Sequence, residues 1–113
     1  MSGYCPSRGD IVLLSFDPTQ GHEQRGTRPA FVISPQIYNS RSGLLLAMPI
    51  TSNSKGYPFE VELPSDLNTR GVILVDQVRC LDWRIRRVRF LEAAPADLIQ
   101  EVQAKAYPLF FES

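Results

Sequence analysis

Residues 10–34, DIVLLSFDPTQGHEQRGTRPAFVIS, contain two apolar segments separated by a long polar loop. In residues 10–17, apolar side chains occupy both sides of a period-two alternation, which predicts a strand buried on most of both faces. Residues 30–34 form a second short apolar run. The loop between them, residues 18–29, has no large apolar side chain to bury, so we expect two strands joined at the surface.

The polar loop between these segments collects groups that can stabilise negative charge. It contains the only histidine of the chain, His22, together with Glu23, Gln24 and two arginines. Arg28 precedes Pro29, whose fixed φ restricts the backbone at the start of the second strand. The guanidinium of an arginine does not lose its charge. Arg28 is therefore suited to holding an anion; the alternative is a solvated connection without chemistry.

A second polar loop, residues 50–57 (ITSNSKGY), follows a strand that Pro49 is expected to end. It contains the hydroxyl of Thr51 and the ammonium group of Lys55, which can also bind phosphate. Thr51 on its own has a simpler explanation, a strand-end hydroxyl bonded to nearby backbone. We expect Arg28 and Thr51 both to lie in polar loops.

The rest of the chain has the pattern of a mainly β domain with two helices. A short helix is predicted between Pro35 and Gly43, and a longer one over residues 95–106, with Pro108 ending or kinking it. Further strands are predicted at residues 44–48, 59–63, 71–81 (interrupted at Asp76 and Gln77) and 88–92. Six or so short strands and a terminal helix predict a small, strongly bent sheet or barrel.

Length and composition limit the chain to one globular domain, residues 1–113. Its 113 residues leave room for one core, and 43% hydrophobic with 21% charged residues argues against disorder. The net charge is zero, so nucleic-acid affinity depends on where the charges lie. Five arginines fall within eleven positions: Arg79, Arg84, Arg86, Arg87 and Arg89. Those from Arg84 to Arg89 either track phosphates or solvate a loop.

Several classes of protein and mechanism are excluded. The chain has no signal-peptide pattern and no run of about 20 apolar residues, so we expect a cytoplasmic protein without a membrane partner. Cys5 and Cys80 are then thiols, and with one histidine they cannot supply a tetrahedral zinc site. One histidine also excludes a two-histidine nuclease, and the carboxylates do not cluster as a two-metal site requires. A site of arginine, hydroxyl, amide and one carboxylate is left, which suits charge stabilisation on a phosphate.

Three motifs in order along the chain resemble the MazF/PemK family of toxin endoribonucleases. They are residues 9–34, residues 49–61 (PITSNSKGYPFEV) and residues 75–83 (VDQVRCLDW), and the resemblance covers nearly the whole chain. It implies a small SH3-like β-barrel of the CcdB/PemK type, a homodimer, and sequence-selective cleavage of single-stranded RNA through the RNA 2′-hydroxyl. It also implies a cognate, MazE-like antitoxin as partner, and neither a metal nor another cofactor.

The resemblance assigns catalytic roles in both polar loops. Arg28 falls on the catalytic arginine of the family's GxRP-like turn, and Thr51 falls on its catalytic threonine after the PxT strand end. Residues of these types can hold the charge of the phosphorane, so losing either should cost on the order of 100–1000-fold in rate. Glu23 matches the acidic residue of the first loop, where it is either the general base or the partner of a neighbouring arginine in a salt bridge.

The RNA-binding candidates surround these residues. His22 is expected at the rim, where it contacts RNA or nothing, and Trp83 either stacks on a base or belongs to the core or a subunit contact. The full set comprises Gln24, Lys55, His22, Arg84, Arg86 and Arg87.

Apolar residues near the C-terminus exceed what one small barrel needs, which predicts a dimer joined partly through the last helix. They are Leu98, Ile99, Val102, Leu109, Phe110 and Phe111.

Two rival functions are open at this point. The CcdB toxins have a similar barrel but poison DNA gyrase by binding it, without nuclease chemistry. The presence of both Arg28 and Thr51 favours the nuclease. A non-catalytic barrel that binds nucleic acid or protein would also keep the arginine cluster.

Overall fold

The computed structural model describes residues 3–17 and 26–112 of the chain. Within them the protein forms β1 (Asp10–Ser15), β2 (Thr27–Val32), α1 (Gln36–Ser42), β3 (Leu44–Thr51), β4 (Glu60–Glu62), β5 (Val72–Leu74), a 3-10 turn (Val75–Gln77), β6 (Arg79–Asp82), β7 (Arg89–Ala93) and α2 (Ala96–Phe111). The prediction of a mainly β fold with a short internal helix and a C-terminal helix is confirmed. None of the described helices has the length and apolar character needed to cross a membrane.

The strands form an antiparallel sheet in the order β4-β5-β3-β2-β1-β7, and β6 pairs with the first half of β3. The expected barrel is not closed, because β4 and β7 stay at opposite ends of this order in the described ranges. A side chain links these two regions. The Glu92 carboxylate of β7 accepts hydrogen bonds from the backbone amides of Asn68 and Thr69, in the turn after β4, at 3.0 and 2.7 Å.

Apolar side chains fill both faces of the sheet, as the alternation in residues 10–17 predicts. Ile11 and Val12 of β1 point to opposite faces, and both are fully buried. Ile11 packs in the layer under α2. Val12 packs in the opposite layer, which also contains Leu81 and Trp83.

Trp83 belongs to the core, which leaves it no face for stacking on a base. It is only 7% exposed. Its indole Nε1 donates a hydrogen bond to the backbone carbonyl of Asn39 in α1 at 2.9 Å. Asn39 is itself buried, and its Nδ2 donates to the carbonyl of Pro6 at 2.9 Å. The single tryptophan therefore anchors α1 to the turn after β6.

Strand β3 continues through Pro49 to Thr51, although the sequence predicts its end at Pro49. On one side, β3 pairs with β6 over residues 44–47 and with β5 over residues 50–51. Pro49 lies where the partner changes, a position at which a strand tolerates a missing N–H.

Helix α2 also continues through a proline, Pro108, and ends at Phe111. Pro108 has no N–H to donate to the carbonyl of Ala104, but Ala104 lies on the exposed side of the helix, where water can replace that donor. The prediction that Leu98 and Val102 face a dimer partner is wrong, since both are buried in the core.

Candidate active site

Arg28 lies within β2, not in a polar loop as the sequence suggested. It pairs with Leu14 of β1 and is half-buried. Its guanidinium Nη1 donates a hydrogen bond to the backbone carbonyl of Ile50 in β3 at 3.4 Å. Because Ile50 directly precedes Thr51, the structure brings the two residues that the family motifs single out to the same end of the sheet.

Thr51 is the last residue of β3, and it is buried, so its predicted position in a polar loop is also wrong. Its Oγ1 accepts a hydrogen bond from the backbone amide of Asn53 at 3.1 Å. A hydroxyl that accepts one hydrogen bond still has its own O–H to donate. The local backbone contact foreseen for this hydroxyl is therefore present, and it is compatible with donation to a ligand.

A cleft of about 420 Å³ opens at Thr51. Lys55 lines the same cleft, so the predicted RNA-binding lysine and the predicted catalytic threonine lie together. The remaining polar lining comes from Asn53, Tyr57, Glu60, Asp76 and Gln77. Hydroxyl, ammonium and amide donors in one cleft suit a bound phosphate or a base edge.

The loop that carries Lys55 is organised by the carboxylate of Glu60. This carboxylate accepts hydrogen bonds from the backbone amides of Lys55 at 3.1 Å and Gly56 at 3.0 Å, and from the Ser54 hydroxyl at 3.0 Å. Loss of hydration alone would raise the pKa of Glu60, but the donated hydrogen bonds outweigh it and lower the pKa below its ordinary value. At neutral pH the ionised carboxylate therefore holds the loop in place.

Three predicted residues of the first loop lie outside the described part of the chain: His22, Glu23 and Gln24. Their roles stay predictions. The two ends of their loop are described, and they are joined. The amide of Phe16 donates to the carbonyl of Gly26 at 2.9 Å, and the amide of Gly26 donates to the Asp17 carboxylate at 2.9 Å.

The arginines after β6 contact backbone and not the Thr51 cleft. Arg86 donates through Nη1 to the carbonyls of Ser15 at 2.9 Å and Asp17 at 2.6 Å, at the end of β1. Arg84 donates to the carbonyl of Ser40 in α1 at 3.0 Å, and its guanidinium lies 4.9 Å from the centre of the buried indole ring. Both side chains thus join parts of the fold, a role that neither alternative for this cluster included, and their contact with RNA stays a prediction.

Arg87 adopts a positive φ of 54° in the turn between β6 and β7. With Arg86 and Arg89 it lines a separate, shallow cleft of about 310 Å³ beside β1 and Thr27. Arg87 is therefore not brought together with Thr51, and its predicted contact with RNA would have to occur in this second cleft.

Five polar residues of the Thr51 cleft were not predicted from the sequence: Asn53, Tyr57, Glu60, Asp76 and Gln77. Gln77 was noted only as an interruption in a β segment, and that interruption is the 3-10 turn that brings it to the cleft. The signal for Tyr57 was an aromatic residue in an otherwise polar loop.

Cys5 and Cys80 are free thiols. Across residues 3–17 and 26–112, no group of three histidine, cysteine, aspartate or glutamate side chains is arranged to hold a metal ion.

Sequence comparison identifies a family. The profile of the PemK-like, MazF-like toxins of type II toxin–antitoxin systems matches residues 7–110. The endoribonuclease toxin MazF of Escherichia coli (strain K12) is 45% identical over 105 residues, which cover 93% of this chain and 94% of that protein. The endoribonuclease PemK of Escherichia coli is 38% identical over 99 residues, which cover 84% of this chain and 74% of that protein.

Solved structures agree with the sequence matches. A crystal structure of MazF from Deinococcus radiodurans has a TM-score of 0.91 and 52% identity, and covers 96% of this chain and 98% of that one. A crystal structure of MazE–MazF from the same organism has a TM-score of 0.85 and 47% identity, and covers 98% and 100%. Since the family profile and these relatives match nearly the whole length, the chain belongs to the PemK-like, MazF-like toxins of type II toxin–antitoxin systems.

Proposed function

We propose that this endoribonuclease toxin cuts single-stranded RNA, selectively for sequence, through attack of the RNA 2′-hydroxyl on the adjacent phosphate and without a metal ion. The observation that carries the proposal is the hydrogen bond from Arg28 to the carbonyl of Ile50. It holds a permanent positive charge one residue along β3 from the buried hydroxyl of Thr51.

The chemistry needs little from the protein beyond orientation and charge stabilisation. The 2′-oxygen already stands next to the phosphorus, and such intramolecular attack has an effective molarity of roughly 10⁵–10⁸ M when it is well oriented. The O2′–P bond forms, the P–O5′ bond breaks, the 2′-hydroxyl loses its proton and the leaving 5′-oxygen gains one. The products are a 2′,3′-cyclic phosphate and a 5′-hydroxyl.

Arg28 and Thr51 stabilise the charge that develops on the phosphorane. A guanidinium gives charge-assisted hydrogen bonds, and the Thr51 hydroxyl adds a neutral one from a position shielded from water. Lys55 binds a neighbouring phosphate in the same cleft. Glu23 is proposed as the general base, although a carboxylate with the usual pKa of about 4.3 is a weak base at neutral pH.

The proposed partners follow from family membership. The solved MazE–MazF structures are of relatives 46–47% identical to this chain, and on that basis we propose a MazE-like antitoxin as its inhibitor. We also propose a single domain over residues 1–113 that acts as a homodimer. A cytoplasmic location is proposed because cellular RNA is the substrate.

Neither the fold nor the relatives favour the gyrase-poison alternative. The relatives compared above are named endoribonucleases. A CcdB-like function would leave the Arg28–Ile50 contact and the Thr51 cleft without a chemical purpose.

The test compares the wild-type protein with an Arg28→Ala variant. Each is incubated with a short single-stranded RNA in a buffer that contains EDTA. Wild type should cut at an undiminished rate and leave the cyclic phosphate, whereas Arg28→Ala should be slower by about 100–1000-fold. A substrate with a single 2′-deoxynucleotide 5′ of the cut should bind normally and resist cleavage. Cleavage of that substrate at the normal rate would disprove attack by the 2′-hydroxyl.

A further inference from the structure

Among the residues that the structure describes, the most exposed ring in the candidate site is that of Tyr57, which is 61% exposed. Tyr57 lies between two clefts and lines both. One is the 420 Å³ cleft of Thr51, and the other is a cleft of about 500 Å³ on the far side of the loop, lined by Ser52, Ser54 and Arg70 among others. Glu60 is the other residue that lines both clefts, so a ligand that extends from one cleft into the other lies beside the Tyr57 ring and the Glu60 carboxylate.

Among the described residues, the other exposed aromatic side chains pack against another ring, except Tyr38, whose hydroxyl lies 3.9 Å from the Cys80 sulfur. Tyr107 and Phe111 of α2 pack against each other in a tilted arrangement with ring centres 4.8 Å apart, and Tyr4 packs against Phe90 at 5.5 Å. In the part of the chain that the structure describes, Tyr57 belongs to no such pair. Its exposed face is therefore open to a partner from outside the chain.

The backbone beside Tyr57 is fixed before any ligand arrives. The Glu60 carboxylate binds the amide of the preceding residue, Gly56, at 3.0 Å, and the carbonyl of Tyr57 accepts the amide of Glu60 at 3.1 Å. Pro58 follows and restricts the chain further. An aromatic side chain on a preorganised loop loses little conformational entropy when a ligand stacks on it.

Groups that can read the edge of a base lie in the same cleft. The amide groups of Asn53 and Gln77 and the carboxylate of Asp76 line it together with Tyr57. An aromatic face next to amide and carboxylate groups is the combination that proteins use to bind unpaired bases of RNA.

We propose that Tyr57 stacks on an unpaired base next to the cut nucleotide and directs the RNA strand from the Thr51 cleft into the cleft of Ser52, Ser54 and Arg70. The inference rests on the proposed function, because it assigns a binding residue to the same substrate. Tyr57 acts in binding and not in the chemical step, so its loss changes KM and leaves kcat nearly as it is.

The test compares Tyr57→Ala with Tyr57→Phe and with a matched control, Phe90→Ala, which removes another exposed aromatic ring, on β7. Cleavage of a short RNA gives kcat and KM. A 2′-deoxy analogue that resists cleavage and carries 2-aminopurine next to the cut site gives Kd, and quenching of the probe reports stacking. Tyr57→Ala should raise KM and Kd about ten-fold and abolish the quenching, whereas Tyr57→Phe and Phe90→Ala should behave like wild type.

Two results would overturn the inference. One is a Tyr57→Ala variant with unchanged KM, Kd and quenching while the wild type cuts RNA. The other is a change of molar mass in solution for Tyr57→Ala, which would make the ring a subunit contact. Failure of the proposed function looks different: wild type would not cut RNA, and the binding assay would still show whether Tyr57 stacks on the probe.

Discussion

Gly71 and the carbonyl oxygen of Thr51 are so close that a Cβ atom on Gly71 would collide with that oxygen. Gly71 also has a φ of +116°, a backbone conformation that residues other than glycine rarely adopt. Only glycine therefore allows β5 to close against the last residue of β3. The position of the Thr51 hydroxyl depends on a residue twenty positions further along the chain.

We expect Gly71→Ala to lower both stability and cleavage. Gly56→Ala is the matched control, because Gly56 has a φ of +72° but no atom within 4 Å of its added Cβ. Both variants carry backbone strain of about 1–2 kcal/mol, and only Gly71→Ala adds the collision. Thermal unfolding should rank Gly71→Ala below Gly56→Ala. If Gly71→Ala and Gly56→Ala have equal Tm values and equal activities, β5 shifts to accept the added Cβ without disturbing Thr51, and the prediction is wrong.

The hydroxyl of Thr51 is tested by replacing it without changing its shape. Thr51→Val removes Oγ1, which leaves the Asn53 amide without this acceptor and costs about 1 kcal/mol of stability. We expect cleavage to fall by about 100–1000-fold, and Thr51→Ser, which keeps the hydroxyl, to retain most of it. Since Thr51 is buried, the stability loss must be measured alongside activity. A fully active Thr51→Val would refute the proposed role.

The position of Thr51 also shows what the sequence could and could not predict. Alternating apolar residues predicted β1 correctly, because burial on both faces leaves a local pattern. The extent of β3 was missed, because the tolerance of Pro49 depends on which strands pair with β3, and pairing is not a local property. The Tyr57 and Gln77 contributions to the cleft were missed for the same reason.

A pH effect is expected from Glu60. Its pKa is lowered in the folded protein, so its ionised form stabilises the loop above the ordinary carboxyl pKa, and this contribution is lost as pH falls through the lowered value. Glu60→Gln should therefore be less stable and less active than wild type at neutral pH, and the difference in stability should shrink in acid. Glu62→Gln, an exposed neighbour in β4, is the control. A stability difference that stays constant from pH 7 to acid would contradict this linkage.

A homodimer is expected to use the end of α2. Phe110 and Phe111 are 61% and 71% exposed, and both line an apolar groove of about 770 Å³ beside α1 and β3. So much exposed apolar surface is unusual for a monomer. Phe110→Asp should reduce the molar mass measured by light scattering at micromolar concentration, whereas Ile85→Asp, at a residue 78% exposed in the turn after β6, should not. A monomeric wild type would contradict the dimer.

The burial of Trp83 keeps its fluorescence independent of RNA binding in the Thr51 cleft. It is the only tryptophan, and it follows Asp82, which pairs with Leu44 at the start of β3. Thr51 lies at the other end of that strand, roughly 20 Å away at the usual rise per residue. Intrinsic tryptophan emission therefore reports on the layer around α1 and stays constant when RNA occupies the Thr51 cleft. Unfolding can be followed at one wavelength in a sample that is binding its substrate.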